Sequence, residues 1–133
     1  MFMDRLINQG NAPLIQRMMD FTAARHNLIA QNIANISTPG YIQKDLSEKA
    51  FQRQIHDRLE MKESSPPGSV DFEGITTSLK GPGNALLFHD GGNRSVEQMM
   101  SDLSSNALKH NMYAEMLRKQ FDSMKSVLRE RVA

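Results

Sequence analysis

Two His-Asp dipeptides, His56-Asp57 and His89-Asp90, are the residues of this chain with the clearest chemical potential. Some metal-dependent phosphohydrolases hold a divalent ion with such a pair. They also need further His and Asp ligands at defined helical positions, and no such set accompanies either dipeptide. A solvated helix face accounts for His56 and a loop for His89. His26 and His110 fall in apolar rows, where a polar residue at a helix interface accounts for them, with a pH-sensitive contact as the alternative. Glu60 and Glu63 lie among Lys and Arg and read as surface. Gly81-Pro82-Gly83-Asn84 and Gly91-Gly92-Asn93 are glycine-rich, but they lack the P-loop Lys-Ser/Thr and the dinucleotide spacing, so they read as turns. Ser64 and Ser65 precede Pro66-Pro67 and read as linker. The chain has no Cys, which removes disulfides, thiolate metal sites and Cys nucleophiles together. Of ten Met, five lie between Met99 and Met124. A haem box would need an attachment motif with Cys. Flexible Met side chains suit an interface that packs several slightly different neighbours. No catalytic residue, cofactor or metal is expected.

The 133 residues suit one domain or one assembly subunit. Hydrophobic residues make up 39% and charged residues 23%, so a core is possible but not generous. With 16 basic against 15 acidic residues, the chain lacks the cationic surplus of a nucleic-acid binder that works by bulk charge. The longest apolar run is Ala85-Leu86-Leu87-Phe88, far short of the ~20 residues that span a bilayer. The first thirty residues lack the pattern of a secretory signal.

The elements that must position these residues are punctuated by Gly and Pro. Residues 62–94 hold six of the eight Gly and three of the five Pro. That stretch is expected to be irregular, with short extended pieces at Ser69–Phe72 and Ile75–Leu79. Three parts follow: an amino-terminal helix and turn over 1–41, a variable middle over 42–94, and a long helix over 95–133.

The first helix is expected to begin near Asn11–Pro13, since Asn can cap and Pro is tolerated in the first turn. Ile15, Met19, Thr22, His26, Ile29, Ile33 and Ile36 recur at spacings of four and three, and Leu14, Met18, Phe21 and Leu28 form a neighbouring row. Pro39-Gly40 ends the helix. A weaker helix is expected over Asp45–Met61, with Phe51, Ile55 and Leu59 on one face. The third helix has the strongest pattern: Val96, Met100, Leu103, Ala107, His110, Ala114, Leu117, Phe121, Met124, Leu128 and Arg131 alternate the two spacings throughout. Ser95 and Gln98 form a capping box at its start. A seam of 3.5-residue period wants another helix along its length. The fold expected is therefore mainly α: long terminal helices pair antiparallel as a coiled-coil-like bundle, with an irregular middle and little strand. Two helices of unequal length leave apolar sides open, so further burial is expected from other chains.

The run Leu28-Ile29-Ala30-Gln31-Asn32-Ile33-Ala34-Asn35-Ile36-Ser37-Thr38-Pro39-Gly40-Tyr41 resembles the amino-terminal signature of bacterial flagellar rod and hook proteins. Asp90-Gly91-Gly92-Asn93, Val96-Glu97, Met100, Asn106-Ala107-Leu108, Leu117 and Phe121 are similar to the carboxy-terminal region of the short, proximal rod members of that family. So are Met1–Leu6 and the short total length. The resemblance implies a structural subunit of the flagellar basal-body rod, exported by the flagellar type III apparatus without a cleaved signal. It implies stacking into a helical tube that crosses the periplasm and transmits torque. It implies neighbours as well: further copies of the chain, the rod base protein FliE, and the rod proteins FlgC, FlgF and FlgG. The assembly interface expected on this basis comprises Leu28, Ile29, Asn32, Ile33, Asn35, Thr38, Pro39, Gly40 and Tyr41, with Val96, Met100, Leu103, Leu117, Phe121, Met124 and Leu128 on the closing helix. The rival readings are a soluble coiled-coil adaptor dimerising through residues 96–128 and an enzyme using His-Asp chemistry.

Overall fold

A computed structural model describes residues 10–66, 72, 87–89 and 95–132. Three helices dominate them: α1 (Ala12–Ala34), α2 (Glu48–Glu63) and α3 (Val96–Val132). Strand β1 (Lys44–Leu46) pairs antiparallel with β2 (Leu87–His89), Asp45 opposite Phe88. Long terminal helices packed on each other, with almost no strand, are the architecture the spacings imply.

Helix α1 starts where expected, with Asn11 at the N-cap position and Pro13 in the first turn. The Asn11 side chain does not cap; its Oδ1 accepts from Lys62 Nζ at 3.0 Å and so ties α1 to the end of α2. Its carboxyl end comes at Ala34, before Ile36, which is therefore outside the helix and exposed. The expected stop at Pro39-Gly40 lies several residues too far on. Asn35 is the C-cap, and its amide closes on the Gln31 carbonyl through both backbone N–H (3.0 Å) and side-chain Nδ2 (2.8 Å).

Helix α2 begins three residues later than expected, because Ser47 caps it: the hydroxyl accepts the Ala50 N–H at 3.2 Å. Asp45, expected in the helix, is instead in β1. The expected Phe51–Ile55–Leu59 face does point inward. Phe51 and Ile55 are buried, and the Phe51 ring stacks on Phe21 with centroids 4.0 Å apart and planes 7° from parallel. Leu14, Phe21, Leu28, Leu46, Phe51, Ile55 and Phe72 form the core, so the second apolar row of α1 is the one that packs under α2 and β1. Lys62 Nζ lies 5.9 Å from the centre of the Phe72 ring, a cation over an aromatic face.

Ser95 caps α3, its Oγ accepting the Gln98 N–H at 3.2 Å, which is the hydroxyl half of the expected capping box. Glu97 sits in its first turn and Arg129 and Arg131 in its last, matching the helix dipole. It runs antiparallel to α1: Thr22 meets Asn106 and His110, while Gly10 lies beside Gln120. The 37 residues of α3 against the 23 of α1 give lengths of about 55 and about 34 Å at 1.5 Å per residue. The expected pieces at Ser69–Phe72 and Ile75–Leu79 lie outside the described residues, apart from Phe72, which is buried in a bend.

Candidate assembly surface

The turn after α1 is built from the residues of the signature run. Asn35 O accepts the Thr38 N–H at 3.0 Å, and Thr38 O accepts the Tyr41 N–H at 3.3 Å. Thr38-Pro39-Gly40-Tyr41 thus closes a four-residue turn with Pro second and Gly third. Gly40 has φ +76°, the left-handed conformation that such a turn demands at its third residue. The chain leaves this turn and returns along α1. Asn32, 5% exposed, holds it there: Nδ2 donates to Lys44 O at 2.6 Å and Oδ1 accepts from Lys44 N at 3.1 Å. The Tyr41 hydroxyl donates to the same Oδ1 at 3.3 Å. A side-chain amide here serves the backbone of β1 as a neighbouring strand would.

Beside this clamp lies an ion cluster. Arg25 grips Asp45 with two nearly parallel bonds, Nε to Oδ1 at 2.9 Å and Nη2 to Oδ2 at 3.1 Å. Its Nη1 reaches Glu48 at 3.3 Å, and Lys109 of α3 binds the other Glu48 oxygen. One network therefore joins α1, β1, α2 and α3. Burial alone would lower the Arg25 pKa. The bond and charge of Asp45, with the charges of Glu48 and Asp102, outweigh burial and hold it above the ordinary value. Burial raises the Tyr113 phenol, which the charge of Glu48 reinforces and that of Lys109 opposes.

The seam between α1 and α3 is polar at its centre. The Thr22 hydroxyl donates to Met19 O at 2.9 Å; His110 Nδ1 lies 2.8 Å from Thr22 Oγ1, and with the hydroxyl hydrogen given to Met19 this bond takes the Nδ1–H tautomer of the ring. Asn106 Nδ2 donates to Thr22 O at 2.7 Å. Asn106 Oδ1 is buried and has no partner among the described residues. His110 thus occupies the helix interface expected of it, whereas His26 is exposed. The side chain of His56 is exposed and lies 3.3 Å from Glu60. Among the described residues no group of three His, Asp or Glu is placed to hold a metal.

The expected interface residues divide in two. Leu28, Ile29 and Asn32 are buried within the chain, Ile33, Asn35 and Tyr41 are half-buried, and Thr38, Pro39 and Gly40 are exposed at the turn. On α3, Leu103, Leu117, Met124 and Leu128 are half-buried, while Val96, Met100 and Phe121 are exposed. The most buried face of α3 passes through Met99 and Asn106, one position off the expected row at its amino end. A second apolar row leaves the expected one at Met100 and continues through Leu108, Met112 and Met116; the four are 51%, 71%, 52% and 48% exposed. With Ser104 they follow one another at i, i+4, the row that forms a ridge on a helix surface. The four-residue recurrence was the available signal.

The described residues form a paired-helix scaffold with an exposed apolar ridge on α3 and a turn clamped by Asn32. No family model matches the chain, and no solved structure matches it. It is 30% identical to the flagellar basal body rod protein FlgB of Bacillus subtilis over 121 residues, 90% of this chain and 93% of that one. It is 25% identical to the flagellar basal body rod protein FlgB of Borreliella burgdorferi over 123 residues, 85% of this chain and 91% of that one. The chain belongs to the FlgB family of flagellar basal body rod proteins. No helix among the described residues is long and apolar enough to cross a membrane.

Proposed function

We propose that this chain is a structural subunit of the proximal flagellar rod and that its terminal helices bind neighbouring subunits to build a helical tube that transmits torque. The observation that carries this reading is the exposed apolar surface of α3, where Val96, Met100, Leu108, Met112, Met116, Phe121, Val127 and Val132 remain open although the helix already packs on α1. A fully buried apolar side chain of this size contributes about 1.5–3 kcal/mol, so neighbours that cover the surface gain substantially. The interface comprises the turn at Thr38–Tyr41 and the open residues of α3. The buried Leu28, Ile29 and Asn32 act one step back, by holding that turn in place. FliE, FlgC, FlgF, FlgG and further copies of the chain are the partners of this reading. The flagellar type III apparatus is its export route, and the function needs no catalysis.

The test is complementation of a strain lacking the gene. The Phe121→Asp/Leu128→Asp chain is expected to keep its helicity and to leave basal bodies with membrane rings but no rod. Normal rods and motility with that variant would sink the proposal. A stable homodimer of the unaltered chain by sedimentation, together with rods that form in its absence, would favour the adaptor reading.

A further inference from the structure

We propose that Leu108 of one copy docks into the cavity between α2 and α3 of a second copy of the same chain, setting copies side by side. This deepens the rod reading and rests on it. The cavity has a volume of about 180 Å³; apolar side chains such as Met18, Phe21, Phe51 and Ile55 line it together with polar ones that include Glu48 and Lys109. A volume of about 150 Å³ takes a benzene ring, so one leucine side chain fits here by volume. Leu108 is 71% exposed, the most open large apolar side chain of the described residues apart from Val132 at the helix end.

The second copy is the occupant because the chain itself carries both halves. Asn106 faces the cavity and Leu108 lies two residues on, about 200° around the helix at 3.6 residues per turn. Knob and hole therefore sit at one height on opposite flanks of α3, a side-by-side relation rather than an end-to-end one. A knob and a hole on different surfaces form a heterologous contact, which propagates instead of closing on a pair.

The chain has no native Cys, so disulfide trapping has a clean background. Gln52 lines the cavity rim and is exposed, like Leu108, so Gln52→Cys and Leu108→Cys leave the fold intact, which circular dichroism checks. When the two single variants of the full chain are mixed and oxidised, the mixed dimer is expected to exceed either homodimer on the order of tenfold, because docking raises the local thiol concentration. The double variant is expected to give a ladder of linked copies. Equal yields of all three dimers, or dominance of the Leu108→Cys homodimer, would overturn the contact. Trapping repeated in isolated basal bodies separates the two readings. A double variant that enters rods yet links only to other proteins removes this contact and leaves the rod assignment standing. Rods that form normally without the chain remove the rod assignment itself.

Discussion

Asn32 and Lys44 are twelve residues apart, yet the Asn32 amide makes both hydrogen bonds of the Lys44 peptide group, 2.6 Å to its carbonyl and 3.1 Å from its N–H. A loop that must turn back on a helix leaves backbone groups facing apolar side chains, and a buried unpaired group costs more than a bond gains. The asparagine removes that penalty and sets where β1 begins. Asn32→Leu is expected to lower stability by about 1–3 kcal/mol, since both Lys44 groups lose their partner. Asn32→Asp keeps the acceptor but places a carboxylate against the Lys44 carbonyl, so it is expected to be at least as harmful. Urea unfolding followed by circular dichroism measures both. A loss below about 0.5 kcal/mol, the scale of an ordinary surface change, would show that the clamp is ornamental.

Gly40 is a conformational requirement without a steric one. Its φ is +76°, and a Cβ built there meets nothing within 4 Å. Gly40→Ala is therefore expected to cost about 1–2 kcal/mol through the backbone alone. Gly40→Asn should cost less, because Asn tolerates the left-handed region. An alanine variant as stable as the native chain, or an asparagine variant less stable than the alanine one, would contradict the assignment of this turn.

Much of this fold is legible in the sequence, for reasons that particular residues make plain. The α3 pattern is long, so its period is unambiguous, and Ser95 marks its start by the chemistry of a cap. The Thr-Pro-Gly-Tyr turn is legible because Pro presets one angle and Gly alone adopts the next at no cost. The β1–β2 pair was not legible: three residues carry too little alternation, and the partner strand lies some forty positions away, so only tertiary pairing defines it. The shift of α2 has the same origin. Asp45 satisfies helix patterning, but Arg25 and Asn32 hold its neighbourhood extended, and Ser47 supplies the cap two residues later. Of the candidate site, the signature residues were legible as a set but not in their roles, since nothing local says that Asn32 faces inward. The ridge through Leu108 was present in the spacing and overshadowed by the stronger heptad row beside it.

The Arg25 cluster should be the most sensitive polar feature. Asp45 is 4% exposed, and its two bonds to Arg25 are near-parallel, a geometry that Lys cannot reproduce. Arg25→Met is expected to cost about 3–5 kcal/mol, because it leaves a buried carboxylate without its guanidinium. Arg25→Lys should fall between that variant and the native chain. The double variant Arg25→Met/Asp45→Leu should recover much of the loss, and chemical denaturation of the native chain, Arg25→Met, Asp45→Leu and the double variant forms the cycle. A loss in the double variant equal to the sum of the two single losses would mean that the pair is not coupled.

Tyr113 gives the fold an alkaline limit. Its pKa is raised above 10.0 mainly by burial. The folded chain therefore holds the phenol proton more tightly than the unfolded chain does. The sign follows from linkage: the contribution to stability is fully present below the unfolded value of 10.0 and is lost as pH rises through the raised folded value. Stability of the native chain is expected to decline above pH 10, and Tyr113→Phe should flatten that decline while changing little at neutral pH. The chain has two tyrosines, so a Tyr41→Phe variant reports Tyr113 alone. Its tyrosinate absorbance should titrate above 10.0 when folded and at the ordinary value in denaturant. A folded midpoint at or below the denatured one would show that Tyr113 is solvated, and with it that α3 stands away from the floor of the α2 cavity.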